Sequence, residues 1–94
     1  MRKYETVYVL RPDLDEAAVE AANQSVARAI SENGGEIEKT DNWGIRKLAY
    51  EIQDYTEGNY VVVTYQAESS IPALDYVYKV SDSIIRSIVV RIDE

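Results

Sequence analysis

Cysteine and histidine are both absent from this chain. Their absence removes disulfides, thiolate nucleophiles, and thiolate or imidazole metal ligands. It also removes the side chain whose ordinary titration lies nearest neutral pH, and with it the commonest general base. Carboxylate pairs are left as the main route to acid–base chemistry, and they need a cleft to shift their pKa. No apolar run approaches the roughly 20 residues of a membrane-spanning helix. The start, Met1-Arg2-Lys3-Tyr4-Glu5, turns charged and strand-like at once, without the apolar stretch of a secretion signal. A cytoplasmic protein with no membrane association is therefore expected. No glycine-rich phosphate loop is present either, because Gly34-Gly35 is a lone pair that reads as a helix terminator.

What is present fits one small soluble domain spanning residues 1–94. Of its residues, 46% are hydrophobic and 29% charged, as in ordinary globular proteins. The net charge of −7 argues, taken whole, against nucleic acid, since phosphate neutralisation needs lysine and arginine. The charge is nevertheless segregated. Asp13, Asp15, Glu16, Glu20, Glu32, Glu36 and Glu38 face only Arg28 between them, whereas Arg2, Lys3, Arg11, Arg46, Lys47, Lys79, Arg86 and Arg91 fall elsewhere.

Periodicity supplies the elements. Tyr4 to Leu10 reads as a strand apolar on both faces, ended by Arg11-Pro12. A helix follows, with Asp13 as the expected N-cap and Glu16 completing a capping-box pair. Ala18, Ala22, Val26, Ala29 and Ile30 form its core stripe, and Asn33-Gly34-Gly35 stops it. Glu36 to Ile52 has strand character interrupted by a turn or bulge at Asp41–Gly44, after which Arg46, Leu48, Tyr50 and Ile52 share one side. Asp54 to Asn59, carrying Gly58, reads as the hairpin connection. Tyr60 to Ala67 is again apolar on both faces. Ser69-Ser70-Ile71-Pro72 opens a second helix with serine as cap, and Leu74, Val77 and Tyr78 form its buried face. Asp82-Ser83 breaks it, and Ser87 to Ile92 is the last strand.

The order β-α-β-β-α-β predicts an α+β ferredoxin-like split β-α-β sandwich, a four-stranded antiparallel sheet with two helices on one face. The first and third strands should be central, which agrees with their two apolar faces. The helix-free face should then be a partner surface, with Val7, Val9, Val61, Val63 and Tyr65 as candidates. The alternative is that these residues meet the helices and the tyrosine-bearing side meets water.

Three chemistries can be weighed on this topology. Glu36 and Glu38 share a strand face, as metal carboxylates do, but a solvated edge explains them better. An RNA-recognition motif needs aromatic rings where Glu57-Gly58-Asn59-Tyr60-Val61-Val62-Val63 offers asparagine and valines, so base stacking on the sheet is not expected. An acylphosphatase needs a glycine-rich anion loop, and Arg11-Pro12-Asp13-Leu14 has the arginine without the glycines.

Particular residues carry a resemblance. Met1-Arg2-Lys3-Tyr4-Glu5, Val9-Leu10 before Pro12, and Gly34-Gly35 form one set. Trp43-Gly44-Ile45-Arg46-Lys47-Leu48-Ala49-Tyr50 with Ile52 is the most specific block, and Gly58, Tyr60 and Ile85-Arg86 complete the pattern. Over essentially the whole chain this resembles the bacterial small-subunit ribosomal protein six family. The resemblance implies a structural component of the small ribosomal subunit, not an enzyme, with no cofactor and no small-molecule substrate. It implies binding to the central domain of small-subunit ribosomal RNA as a heterodimer with the eighteenth small-subunit protein. Arg2, Lys3, Lys79, Arg86 and Arg91 are the expected RNA contacts, gathered along one basic edge. Trp43, Arg46, Lys47, Leu48 and Tyr50 are the expected partner contacts, although Trp43 is equally explained as a local plug over the hairpin bulge. The rival from another class is a ligand-sensing regulatory module of the same fold that dimerises through its sheet.

Overall fold

A computed structural model describes residues 1–92. Its elements run β1 (Arg2–Leu10), α1 (Glu16–Ser31), β2 (Glu36–Ile52), β3 (Tyr55–Ala67), α2 (Pro72–Val80) and β4 (Ile84–Arg91). The strands form one antiparallel sheet in the order β2-β3-β1-β4, which is the expected sandwich with β1 and β3 at its centre.

Strand periodicity decides which residues meet the helices. Tyr4, Thr6, Tyr8 and Leu10 on β1 are buried, and they pair in register with Tyr65, Val63, Val61 and Asn59 on β3. Tyr4, Tyr8, Leu10, Val61, Val63 and Tyr65 form the core with Ala22, Val26, Ala29 and Ile30 of α1 and Leu74 of α2. Val61, Val63 and Tyr65 therefore face the helices and do not belong to the open face. Tyr60 and Val62 take that side instead, paired with Val9 and Val7.

The core holds a polar seam. The Tyr8 hydroxyl donates to Asn23 Oδ1 at 2.6 Å, and Thr6 Oγ1 donates to the Ile88 carbonyl at 3.0 Å while sharing a 2.7 Å hydrogen bond with the Tyr78 hydroxyl. Tyr4 and Tyr65 stack across the strands with ring centroids 5.4 Å apart.

Several local expectations shift for identifiable reasons. The cap of α1 is Asp15, whose carboxylate accepts from the Ala18 amide at 2.8 Å, because Asp13 is forked onto Arg11 at 3.0 and 3.2 Å. No serine caps α2. Ile71 holds the cap position and Pro72, with its fixed φ, begins the first turn. The β2–β3 turn is the pair Gln53-Asp54, with φ of 49° and 69°, the left-handed pair that a two-residue hairpin needs. Gly58 consequently lies inside β3. The interruption in β2 is a bulge within one continuous strand, where Gly44 has φ +80° and its amide meets Asn42 Oδ1 at 2.9 Å. β4 begins at Ile84, earlier than expected.

Gly58 is required by packing. A Cβ there would run into the Val9 side chain, with Leu48 and the Leu10 carbonyl close behind. Gly58→Ala is expected to destabilise the fold by about 1–3 kcal/mol through overpacking. A urea midpoint unchanged by the substitution would contradict the close approach.

Burial also raises the hydroxyl pKa of Tyr8 and Tyr78 above the ordinary value, and pushes Tyr65 up to about 12. A group whose pKa is raised by folding contributes stability that is present below its unfolded value, about 10 for tyrosine, and lost as pH rises through the folded value. Urea unfolding followed from pH 8 upward should show a stability plateau that falls above about pH 10. A flat profile would contradict the buried seam.

Candidate functional site

The helices cover one face of the sheet, and the other has two unlike halves. One half is charged. Lys3 and Glu5 of β1 point there, with Thr64 and Gln66 of β3 and the outer residues of β2 beside them. Lys3 Nζ lies 3.2 Å from Glu38, which also accepts from the Gln66 amide. Glu38 stands at a β2 irregularity between Ile37 and Lys39, so the carboxylate considered for metal is occupied by a lysine and an amide.

The second half is apolar. Val7, Val9, Tyr60, Val62 and Ile88 line it, and over it passes the distal end of β2. Register explains the passage. Lys47 pairs with Glu57 and Ile52 with Tyr55, so four residues, Leu48 to Glu51, stand opposite Thr56 alone. The surplus chain arches over the open face. Beneath it lies a groove of ≈ 330 Å³ lined by Val7, Val9, Leu48, Ile52, Tyr60 and Ile88.

Two arginine–tyrosine contacts pin the arch and its hairpin tip. Arg86 of β4 donates from Nη1 to the Tyr50 hydroxyl at 2.7 Å, and its guanidinium lies 5.6 Å from the ring centroid. This contact joins the two edge strands of the sheet, β2 and β4, across its open face. Past the turn, Arg11 donates from Nε to the Tyr55 hydroxyl at 2.9 Å and stands 5.8 Å from that ring. An exposed cation–π contact contributes about 0.5–1 kcal/mol. Tyr50 is 63% exposed, so its clasp is weak.

Trp43 stacks against Tyr60 with ring centroids 6.5 Å apart, and the Arg46 guanidinium lies 5.3 Å from the tryptophan ring. Half of the Trp43 surface remains exposed, so the ring borders the groove without sealing it. Of the residues expected at a protein partner, Trp43, Arg46, Leu48 and Tyr50 converge on this half. Lys47 pairs with Glu57 and falls on the opposite side.

The cations expected at RNA do not form one row. Arg91 pairs with Tyr4 and takes the helix-bearing side, as does Arg2 two residues before Tyr4. Lys3 points to the open face. Arg86 pairs with Val9 at the far end of β4, also on the open face, five residues and roughly 17 Å of strand from Arg91. Lys79 shares a shallow polar depression with Arg86, Gln53 and Asp82. The result is two groups, Arg2 with Arg91 at one end of the β1–β4 margin and Arg86 with Lys79 at the other. The acidic stretch of α1, with Asp15, Glu16, Glu20 and Glu32 exposed, lies on the helix layer away from the open face.

Arg11, weighed as an anion-loop arginine, has its guanidinium taken by Asp13 and Tyr55. The hydrogen bond from Arg11 holds the Asp13 carboxyl below its usual range, and hydrogen bonds from Gln66 and then Lys3 do the same for Glu38.

Sequence reasoning missed Tyr60 and Val62 on the open face, and it separated Arg86 from Tyr50, which the fold joins. The pairing of Tyr60 with Val9 was the missing signal, and it follows only from the β1–β3 register.

The comparisons with known proteins agree with this architecture. Residues 3–91 match the family described as ribosomal protein S6. The small ribosomal subunit protein bS6 of Clostridium acetobutylicum is 43% identical over 95 aligned positions, covering 100% of both chains. That of Thermoanaerobacter pseudethanolicus is likewise 43% identical with 100% of both chains covered. The crystal structure of the 30S ribosomal protein S6 from Thermotoga maritima superposes with a TM-score of 0.90 at 32% identity, over 97% of this chain and 87% of that one.

Asp13 and Glu38 should titrate below the ordinary carboxylate range in an NMR pH series. Both pKa values are depressed by folding, so the stability these contacts contribute is present above the unfolded carboxylate value and is lost as pH falls through the lowered one. Titration of either group at or above the ordinary value would contradict the contacts described.

Proposed function

The chain belongs to the ribosomal protein S6 family, and we propose that within the small ribosomal subunit it binds the central domain of the ribosomal RNA together with the basic eighteenth small-subunit protein, as a heterodimer. As a ribosomal structural protein it is not an enzyme. The observation that carries the partner reading is the apolar half of the open sheet face, framed by Trp43, Tyr50 and Arg86. This strip, with Val9 and Val62 buried, Val7 and Tyr60 partly exposed and Ile88 exposed, is edged with amphipathic aromatics and arginine, which is the composition of a protein interface.

Charge supports joint binding to RNA. With a net charge of −7, the chain carries too few cations to neutralise many phosphates alone. A cationic partner on the open face would add the missing positive charge and lie between the Arg2–Arg91 and Arg86–Lys79 ends. The contacts would be to backbone and shape, since Tyr60 is engaged with Trp43 and Val62 offers no ring for a base to stack on. The rival reading, a small-molecule sensor that dimerises through its sheet, yields to the family membership.

Filter-binding titrations over a series of salt concentrations test this. The isolated chain should hold the RNA fragment weakly, and an equimolar basic partner should tighten binding. Charge reversal at Arg2, Arg86 or Arg91 should weaken the complex and lower the salt slope by about one for each phosphate no longer neutralised. Tight binding by the chain alone would overturn the joint mode, and an unchanged slope would remove the altered residue from the RNA face.

A further inference from the structure

Arg86 is held without being neutralised. Lys3 faces Glu38, Arg11 faces Asp13 and Lys39 faces Asp41, at 3.2, 3.0 and 3.3 Å. Arg86 instead donates from Nη1 to the neutral Tyr50 hydroxyl at 2.7 Å, with its guanidinium 5.6 Å from the ring centroid. No carboxylate pairs with it among the described residues. Its full charge and the Nε–Nη2 edge of its fork are left for a ligand. We propose that Arg86, Lys79 and Gln53 form a site for one phosphate of the RNA backbone, and that Tyr50 is its positioning residue, holding the guanidinium ready for that phosphate. The inference rests on the proposed function and names one element of its RNA surface.

Three observations carry it. First, Arg86 of β4 and Lys79 of α2 line one polar depression of ≈ 360 Å³, together with Ser81 and Ser87. Asp82 stands on its rim but forms an ion pair with neither cation, so both charges stay available. Second, Gln53 of the β2–β3 turn lines the same depression, and its side-chain amide has no hydrogen-bond partner among the described residues. Third, β2 reaches this margin from the opposite edge of the sheet. Its surplus residues carry Tyr50 across to β4, and the turn that follows brings Gln53.

Positioning matters because a free arginine loses rotamer freedom when it binds, and a guanidinium already held by a neighbour loses less. A neutral hydroxyl suits the holder's part. A carboxylate in its place would orient the fork but cancel the charge that makes a phosphate hydrogen bond strong. One such phosphate contact agrees with weak RNA binding by the isolated chain. A carboxylate of the protein partner is the competing anion, and the basic character proposed for that partner favours phosphate.

The full chain in complex with its basic partner, and a central-domain RNA fragment, provide the test, with affinity measured over a salt series. Arg86→Gln and Lys79→Gln should each lower the salt slope by about one. Tyr50→Phe keeps the ring and removes the hydroxyl. It should leave the slope unchanged and weaken RNA binding about threefold, the low end of the cost of immobilising one long side chain. In the Arg86→Gln background the same change at Tyr50 should cost nothing further, because no guanidinium is left to hold. A Tyr50→Phe complex as tight as the wild type, or an equal loss in both backgrounds, overturns the positioning role. An unchanged slope for either charge variant overturns the phosphate site, and weaker partner binding by Arg86→Gln in the absence of RNA then identifies a partner carboxylate as the anion. A wild-type complex that fails to bind the RNA at any salt concentration overturns the proposed function, a result distinct from the others.

Discussion

Everything about this fold follows from a mismatch between a two-faced sheet and a one-sided helix layer. β1 and β3 carry apolar side chains on both faces, yet α1 and α2 cover only the face bearing Tyr4, Thr6, Tyr8, Leu10, Val61, Val63 and Tyr65. The opposite face keeps Val7, Val9, Tyr60, Val62 and Ile88, which a soluble protein must shield or present to a partner. Here both happen. The surplus residues of β2 shelter one end of the strip, leaving Val9 at 3% exposure, while Ile88 on the edge strand is 56% exposed. The long, bulged β2 hairpin is thus a consequence of the uncovered sheet.

Electrostatics follow this division only in part. The exposed carboxylates of α1 stand on the helix layer, and of the cations proposed for RNA, Lys3 and Arg86 lie on the open face while Arg2 and Arg91 take the helix-bearing side of the β1–β4 margin. Little positive charge is left to hold RNA unaided, so a cationic partner seated on the open face would complete the apolar surface and the phosphate-binding surface together. Shape and charge therefore favour the same location for the partner.

Much of this was legible in the sequence, and the rest was hidden for physical reasons. Two-sided apolar strands announced that β1 and β3 are central, and the alanine-rich stripe of α1 gave its buried face. The face assignment of β3 was not readable, because a strand apolar on both sides looks the same after a one-residue slip and only pairing with β1 fixes it. The cap of α1 moved from Asp13 to Asp15 because Arg11 reaches forward and takes the first carboxylate, a competition that propensity does not register. The arch escaped notice because Arg46, Leu48, Tyr50 and Ile52 alternate without a break, so their period shows no surplus residues until β3 is laid alongside. The single basic edge failed for a related reason. Arg86 and Arg91 lie five residues apart, an odd step, and so stand on opposite faces of the sheet.

The central claim is that the helix-free face is where this chain meets its protein partner. Methyl-selective NMR of the chain titrated with the basic partner measures this directly. The account predicts large shifts and line broadening at Val7, Val9, Val62 and Ile88, with Val26, Ile30 and Leu74 in the helix-covered core unchanged. Perturbation confined to the methyls of α1 and α2, with the open-face valines silent, would contradict it.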